Sequence, residues 1–230
     1  MTEDELIAHY PRLYHMAHDG AWEAIRDRGL KSAAALLDDY GIKNPQRHTL
    51  RSCRRPESVP IKAEGMPLAV LRDQKPMRDD VLANCLQDGL TPQQWYELLN
   101  SRSFFWLSRE RIWRLLGARA YRNVAQTVLT LDTASLVAKH GPRVWLSSLN
   151  SGSTLFKAQP RGLDTFKRIA DFPFAARAKS RPLANNVVEL VVDHSVPDVA
   201  DFVLAVHAVR DDKILKEIWK APHAAASDKP

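Results

Sequence analysis

Glu189 interrupts an apolar run, Val187-Val188-Glu189-Leu190-Val191-Val192. The run is β-branched and reads as a strand, whose alternate side chains face opposite ways. Glu is a poor strand former. It is either the polar mark of a half-exposed face that continues to Asp193, or a carboxylate aimed into a cleft; the strand alone leaves both open. His15, in Leu13-Tyr14-His15-Met16-Ala17, lies on a second short strand and faces away from Tyr14 and Met16. A histidine at a strand end beside a helix start can donate to a ligand's hydroxyl or amide; a core histidine with satisfied nitrogens is the other reading. Ser103-Phe104-Phe105-Trp106-Leu107 sends aromatic rings to both faces of a third strand. Core packing accounts for at least two of the three rings, and the remaining one is available to stack on a flat heterocycle. Arg51, Arg54 and Arg55 stand just before Pro56. Their forked donors suit a pyrophosphate, with a solvated loop as the alternative.

Several chemistries lack their motifs. There is no Gly-rich dinucleotide fingerprint and no phosphate-binding loop of the Walker type. No HExxH, CxxC or Cys/His cluster has zinc spacing, so no metal is expected. Cys53 and Cys85 are the only cysteines and read as reduced thiols. The net charge is +6, and arginine dominates three basic clusters, around positions 47–55, 102–122 and 157–181. Arginine's planar fork suits phosphate and base edges. The start, Met1-Thr2-Glu3-Asp4-Glu5-Leu6, is acidic and lacks an apolar core, so no signal peptide is expected. No apolar run approaches membrane-spanning length. A cytoplasmic protein without membrane contact is the expectation.

Thr2 and Glu5 predict a capping box for a helix ending near Tyr10. Helices follow over Ala21 to Arg28, closed by Gly29, and over Ala33 to Tyr40, capped by Ser32. Residues 43–80 read as long loops with a strand at Leu68 to Leu71. A helix spans Val81 to Gln87. Thr91-Pro92-Gln93-Gln94 is a strong helix start, and Ser108 caps a helix over Arg109 to Ala118. Further strands are expected at Thr127 to Leu131, Val144 to Leu146 and Phe202 to Val209. Ser135 to Lys139, Leu163 to Ala170 and Lys213 to Lys220 read as helical. Residues 221–230 read as a disordered tail. The sum is one α+β domain over residues 1–220, with a split mixed sheet flanked by helices.

Taken in order, these segments resemble the DarT-type DNA ADP-ribosyltransferases. The opening, Leu13-Tyr14-His15-Met16-Ala17 through Arg28-Gly29-Leu30, is similar to that family's first strand and helix. The close, Val188-Glu189-Leu190-Val191-Val192 with Val196-Pro197, is similar to its glutamate strand. Between them, Arg54-Arg55-Pro56-Glu57-Ser58-Val59 and Leu71-Arg72-Asp73-Gln74-Lys75-Pro76-Met77 are similar in kind to its arginine loop and the segment after it. The chain departs from the family in two places. Asp73 to Met77 lacks the aromatic, proline-rich character, and the polar loop Asn150 to Thr154 carries no histidine.

The resemblance implies NAD+ as donor and no metal. It implies mono-ADP-ribosyl transfer to a nucleic-acid base, DNA before RNA. Glu189 would act on the donor ribose, with Arg51 or Arg54 at the pyrophosphate or the target. His15, Met16 and Ala17 would hold the donor's adenosine side, and Phe105 or Trp106 would stack on nicotinamide. The loop before Glu189, with Arg177, Lys179 and Arg181, would track phosphates, and Phe172 or Phe174 would stack a base. A macrodomain-type antitoxin is the partner expected by the same analogy. An NAD+-dependent RNA 2′-phosphotransferase and a catalytically silent nucleic-acid-binding module are the rival readings.

Overall fold

The computed structural model describes residues 1–155 and 157–230. Twelve strands follow in chain order: β1 Arg12–His18, β2 Leu30–Lys31, β3 Val59–Ile61, β4 Ala69–Leu71, β5 Arg102–Trp106, β6 Gln126–Asp132, β7 Val144–Ser147, β8 Phe166–Lys167, β9 Glu189–Asp193, β10 Ser195–Val196, β11 Val203–Arg210 and β12 Lys213–Lys220. Eight of them form one sheet in the order β12-β11-β6-β1-β5-β9-β7-β8. The chain is therefore a single α+β domain. The sheet is not mixed, since every pairing between its strands is antiparallel. Helices Arg109–Leu116 and Thr133–His140 link strands that run the same way, β5 to β6 and β6 to β7, with antiparallel strands lying between them in the sheet.

The sheet is split. β1 lies along β6 through seven register pairs, from Arg12↔Asp132 to His18↔Gln126, yet meets β5 at one pair alone, Tyr14↔Trp106. Beyond that pair the two strands diverge, and a cleft opens between His15–His18 on one side and Arg102–Phe105 on the other.

Both faces of the sheet are covered. On one, Leu13, Phe105, Leu129, Leu146 and Leu190 pack with Leu6, Trp22, Leu136 and Val137 from three helices. Burying a leucine such as Leu190 fully is worth roughly 1.5–3 kcal/mol. On the other, Tyr14, Met16 and Val128 pack against Ile112 and Leu116 of helix Arg109–Leu116. Val191 and Phe166 pack there against Trp95 and Tyr96 of helix Pro92–Asn100. The capping signals hold. Thr2 with Glu5 and Thr91 with Gln94 each form a reciprocal box, and Ser32 and Ser108 accept from the backbones of Ala35 and Arg111.

Four segments differ from the sequence reading. Residues 43–80 hold helix Gln46–Ser52 and the β3–β4 hairpin, packed over Leu37, Tyr40 and Leu50. Leu163 to Ala170 is not a helix but a short 3₁₀ turn, Leu163–Thr165, followed by β8, because Phe166 pairs along the β7 edge and buries its ring. Lys213–Lys220 is a strand. Arg210↔Lys213 closes a two-residue hairpin in which Asp211 sits at φ 55°, and the buried β11 gains its second neighbour. Residues 221–230 are placed against the body rather than free of it. Asp228, 5% exposed, accepts from Arg12 Nε at 2.6 Å, and Arg109 Nη2 donates to the Ser227 carbonyl at 2.8 Å. Among the described residues no helix is long and apolar enough to cross a membrane.

Candidate active site

The cleft at the split holds about 540 Å³, within the range of small-molecule and cofactor sites. β1 and β5 form its floor. Ala21, Ala24 and Ile25 of the helix that begins at Trp22 and its approach, with Gly29 to Lys31, form one wall, and Leu68 to Gln74 form another. Gly29 is required where it stands. Its φ is +78°, and an added Cβ would lie 2.5 Å from the Pro197 Cα. This close contact locks the first wall against the turn that follows β9 and β10.

Glu189 opens β9, paired with Trp106 of β5 and Ser147 of β7. It is only 4% exposed, yet it lines the cleft. The Ser151 backbone N–H donates to both carboxylate oxygens at 3.2 Å. Burial pushes the carboxyl up to about 7; the Ser151 hydrogen bonds and the charges of Arg111 and Arg161 pull the other way. Neither arginine touches it. Arg111 Nε donates to the Ala184 carbonyl at 2.8 Å. Arg161 Nη1 donates to the Ser151 carbonyl at 3.0 Å. The result is a carboxyl that both holds and gives up a proton near neutral pH, which suits a general base.

His15 lies where β1 leaves β5. Its Nδ1 is 2.8 Å from the Phe104 carbonyl oxygen, which only accepts, so Nδ1 carries the proton. Burial lowers the ring to about 4 against the pull of that carbonyl, and the nearby Arg72 charge lowers it further. The ring is neutral at physiological pH, and its Nε2 is an acceptor. The nitrogen left for a ligand can therefore accept from a hydroxyl and cannot donate, unlike the donor role the sequence suggests. Met16 and Ala17 line the cleft beside it.

Of the aromatic candidates, Phe105 is 1% exposed and belongs to the main core, which removes its faces from stacking. Trp106 is half-buried, lines the cleft and stands beside Glu189 in register. Arg51 and Arg54 are not among the lining residues; Arg54 Nη2 reaches the Lys75 carbonyl at 3.3 Å. Arg55 reaches the cleft wall but is consumed structurally. Its guanidinium donates to the Leu50 and Arg72 carbonyls and to Asn100 Oδ1.

Arg72, just after β4, also lines the cleft, with Arg28 and Arg102. Arg72 Nη1 donates to the Met16 carbonyl at 3.1 Å, and its guanidinium lies 4.6 Å over the Tyr121 ring. The Tyr121 hydroxyl donates to Asp73 Oδ1 at 2.9 Å. Arg72 lies within the segment Leu71 to Met77 that carries the resemblance, but nothing in its spacing singles it out over Arg51 and Arg54. Ser151 lies in the polar loop Asn150 to Thr154 and Arg161 in the third basic cluster, but no motif singles either out, and Tyr121 carries no signal.

The loop before β9 is anchored at both ends and exposed in its middle. Arg177 donates to the carbonyls of Ser148, Asn185 and Asn186, so it is a clip within the loop. Lys179 and Arg181 are exposed. Phe172 is buried and Phe174 stacks on His9 at 4.9 Å, so neither is available to a base. Among the described residues, no three His, Cys, Asp or Glu side chains come together as metal ligands.

A model of a family of unknown function, DUF7002, matches residues 11–203. That span contains Glu189, His15, Arg72 and the whole lining of the cleft. No curated protein matches the chain.

Proposed function

The chain belongs to the DUF7002 family, and we propose that its cleft binds NAD+ and transfers ADP-ribose from it to a nucleic-acid base. The observation that carries this reading is the split antiparallel sheet. It brings a near-neutral buried carboxylate, Glu189, and a neutral histidine acceptor, His15, into one cleft. The sequence resemblance to DarT-type enzymes assigns these two residues the same duties.

In the proposed reaction the bond between the donor ribose and nicotinamide breaks, and its electron pair leaves with nicotinamide. Positive charge builds on the ribose carbon, as in glycoside cleavage. A ring or exocyclic nitrogen of the acceptor base bonds to that carbon and loses one proton. Ionised Glu189 accepts a hydrogen bond from a ribose hydroxyl, favours the positive charge and takes the proton. His15 Nε2 accepts from a hydroxyl of the adenosine ribose. Arg72, which lines the cleft, offers its charge to the pyrophosphate, and Trp106 offers a face to nicotinamide. Two features bear on the acceptor. Lys179 and Arg181 project freely from the loop leading to Glu189, and they suit a phosphate backbone. DNA is the acceptor the resemblance favours. A cytoplasmic setting supplies both donor and acceptor.

The test is intact mass after incubation with NAD+ and, separately, single-stranded DNA, RNA and mixed protein, with Glu189→Ala alongside. The expected result is one ADP-ribose added to DNA and lost in the variant. No mass gain and no NAD+ consumption with any acceptor would sink the reading in favour of a silent binding module. NAD+ consumption unaffected in Glu189→Gln would favour a 2′-phosphotransferase.

A further inference from the structure

Arg161 is 2% exposed and forms no ion pair among the described residues. A buried guanidinium without a carboxylate partner is costly, and this one is held by backbone carbonyls. Its Nε donates to the Gln159 carbonyl at 3.1 Å, and its own N–H donates to the Cys85 carbonyl at 2.9 Å. The Gln87 N–H donates to its carbonyl at 2.8 Å. A second side-chain donor goes to Ser151, where Nη1 meets the carbonyl at 3.0 Å. The indole of Trp95 meets the same carbonyl from the other side, Nε1 donating at 3.3 Å.

Ser151 is therefore held at its carbonyl by two immobile donors, while its N–H faces both oxygens of Glu189 at 3.2 Å. Its buried hydroxyl has no well-formed hydrogen bond among the described residues, yet lies close enough to Glu189 to lower the carboxyl's pKa. A direct Arg161–Glu189 ion pair would occupy the carboxylate and make it a weak base. One residue interposed between them keeps the attraction and leaves the remaining oxygen lone pairs for the cleft. We propose that Arg161 is a positioning residue for Glu189, acting through Ser151, with Trp95 as the second grip. The proposal rests on Glu189 being the residue that acts on the donor ribose.

The groups that set the charge around Glu189 are Arg161 from the loop before Leu163 and Arg111 from helix Arg109–Leu116. Across the cleft stand His15 on β1 and Arg72 and Asp73 after β4. Arg161 alone among these is tied to the residue that hydrogen-bonds the carboxylate. A scaffolding role for Arg161 would alter stability and leave the carboxyl titration in place.

The experiment is a ¹³C titration of side-chain carboxyls in glutamate-labelled protein, with the Glu189 signal assigned by its loss in Glu189→Gln. In Arg161→Met the Glu189 midpoint is expected to rise by roughly one pH unit, because an opposite charge has been taken away. Arg161→Lys keeps the charge and restores most of the midpoint. Trp95→Phe keeps the ring and loses the donor, and moves the midpoint by less in the same direction. Where Arg161→Met does not fold, the other two variants carry the test through Trp95→Phe raising the midpoint and Arg161→Lys leaving it near that of the unaltered protein. An unchanged midpoint in Arg161→Met and Trp95→Phe alike would overturn the proposal. The titration needs no turnover, so it is decided separately from NAD+ cleavage. A shifted midpoint in a protein that never consumes NAD+ would leave Arg161 as the positioning residue and remove only the proposed reaction.

Discussion

Replacing Glu189 by Gln should change the protein's stability more favourably at alkaline pH than in mild acid. Glu189 is buried and its carboxyl is pushed up from 4.5 to about 7. A raised folded-state value means that the native state holds the proton more tightly than the unfolded chain. Stability contributed by the protonated form is thus present below 4.5 and is lost as pH rises through about 7. The full linkage is about 3 kcal/mol, because each pH unit between the two values is worth about 1.4 kcal/mol. Of this, about 2–3 kcal/mol falls between roughly pH 5 and pH 8.

The glutamine amide has its own fixed cost, since its NH₂ finds no acceptor at the place where Ser151 donates. That cost does not depend on pH, so it cancels in the difference. The assay is urea unfolding of the two proteins at both pH values. Stability of Glu189→Gln minus that of the unaltered protein should rise by about 2–3 kcal/mol from the lower to the higher pH. A flat difference would refute the burial argument, and with it the idea that the residue is poised as a base. Loss of transfer in the same variant would then show a site that trades stability for chemistry.

His15 should report as a neutral Nδ1–H tautomer in ¹⁵N spectra at about pH 6, since its folded value lies near 4; an imidazolium pattern there would contradict the Phe104 contact. The same depression means that its contribution to stability is present above 6.5 and lost as pH falls through about 4. Gly29→Ala should cost roughly 2 kcal/mol or more in denaturant unfolding, from the left-handed backbone and the clash with Pro197; a cost below about 1 kcal/mol would mean that the wall is looser than described. Lys179→Glu with Arg181→Glu should lower transfer to oligonucleotide severalfold, spare slow NAD+ hydrolysis and leave unfolding unchanged. Arg177→Met should instead destabilise the loop, and equal effects of the two changes would count against the division of that loop.

Much of the fold is legible in the sequence because some residues carry their own geometry. Thr91-Pro92-Gln94 states where a helix begins, and the β-branched run around Glu189 states a strand with one polar member. Lys213 to Lys220 reads as a helix because its lysines and apolar residues fall at three- and four-residue spacings. What decides for a strand is the two-residue turn at Asp211-Asp212 and the need of β11 for a partner. The arginines are legible as a class and not as individuals. Arg55, Arg72 and Arg161 differ only in which distant carbonyls they meet, from Leu50 to Met16 to Ser151. No local pattern encodes a contact of that kind.

The single pair Tyr14↔Trp106 also governs how the protein comes into being. One half of the sheet is assembled from residues 12–18, 126–132 and 203–220, and the other from 102–106, 144–147, 166–167 and 189–193. The two halves are interleaved along the chain. During synthesis β1 emerges early and waits for β6, while β5 waits for β9. Such long-range pairings close slowly, and the exposed edges of the waiting strands are open to wrong partners in the meantime. The cleft between β1 and β5 is finished only when both halves of the sheet are.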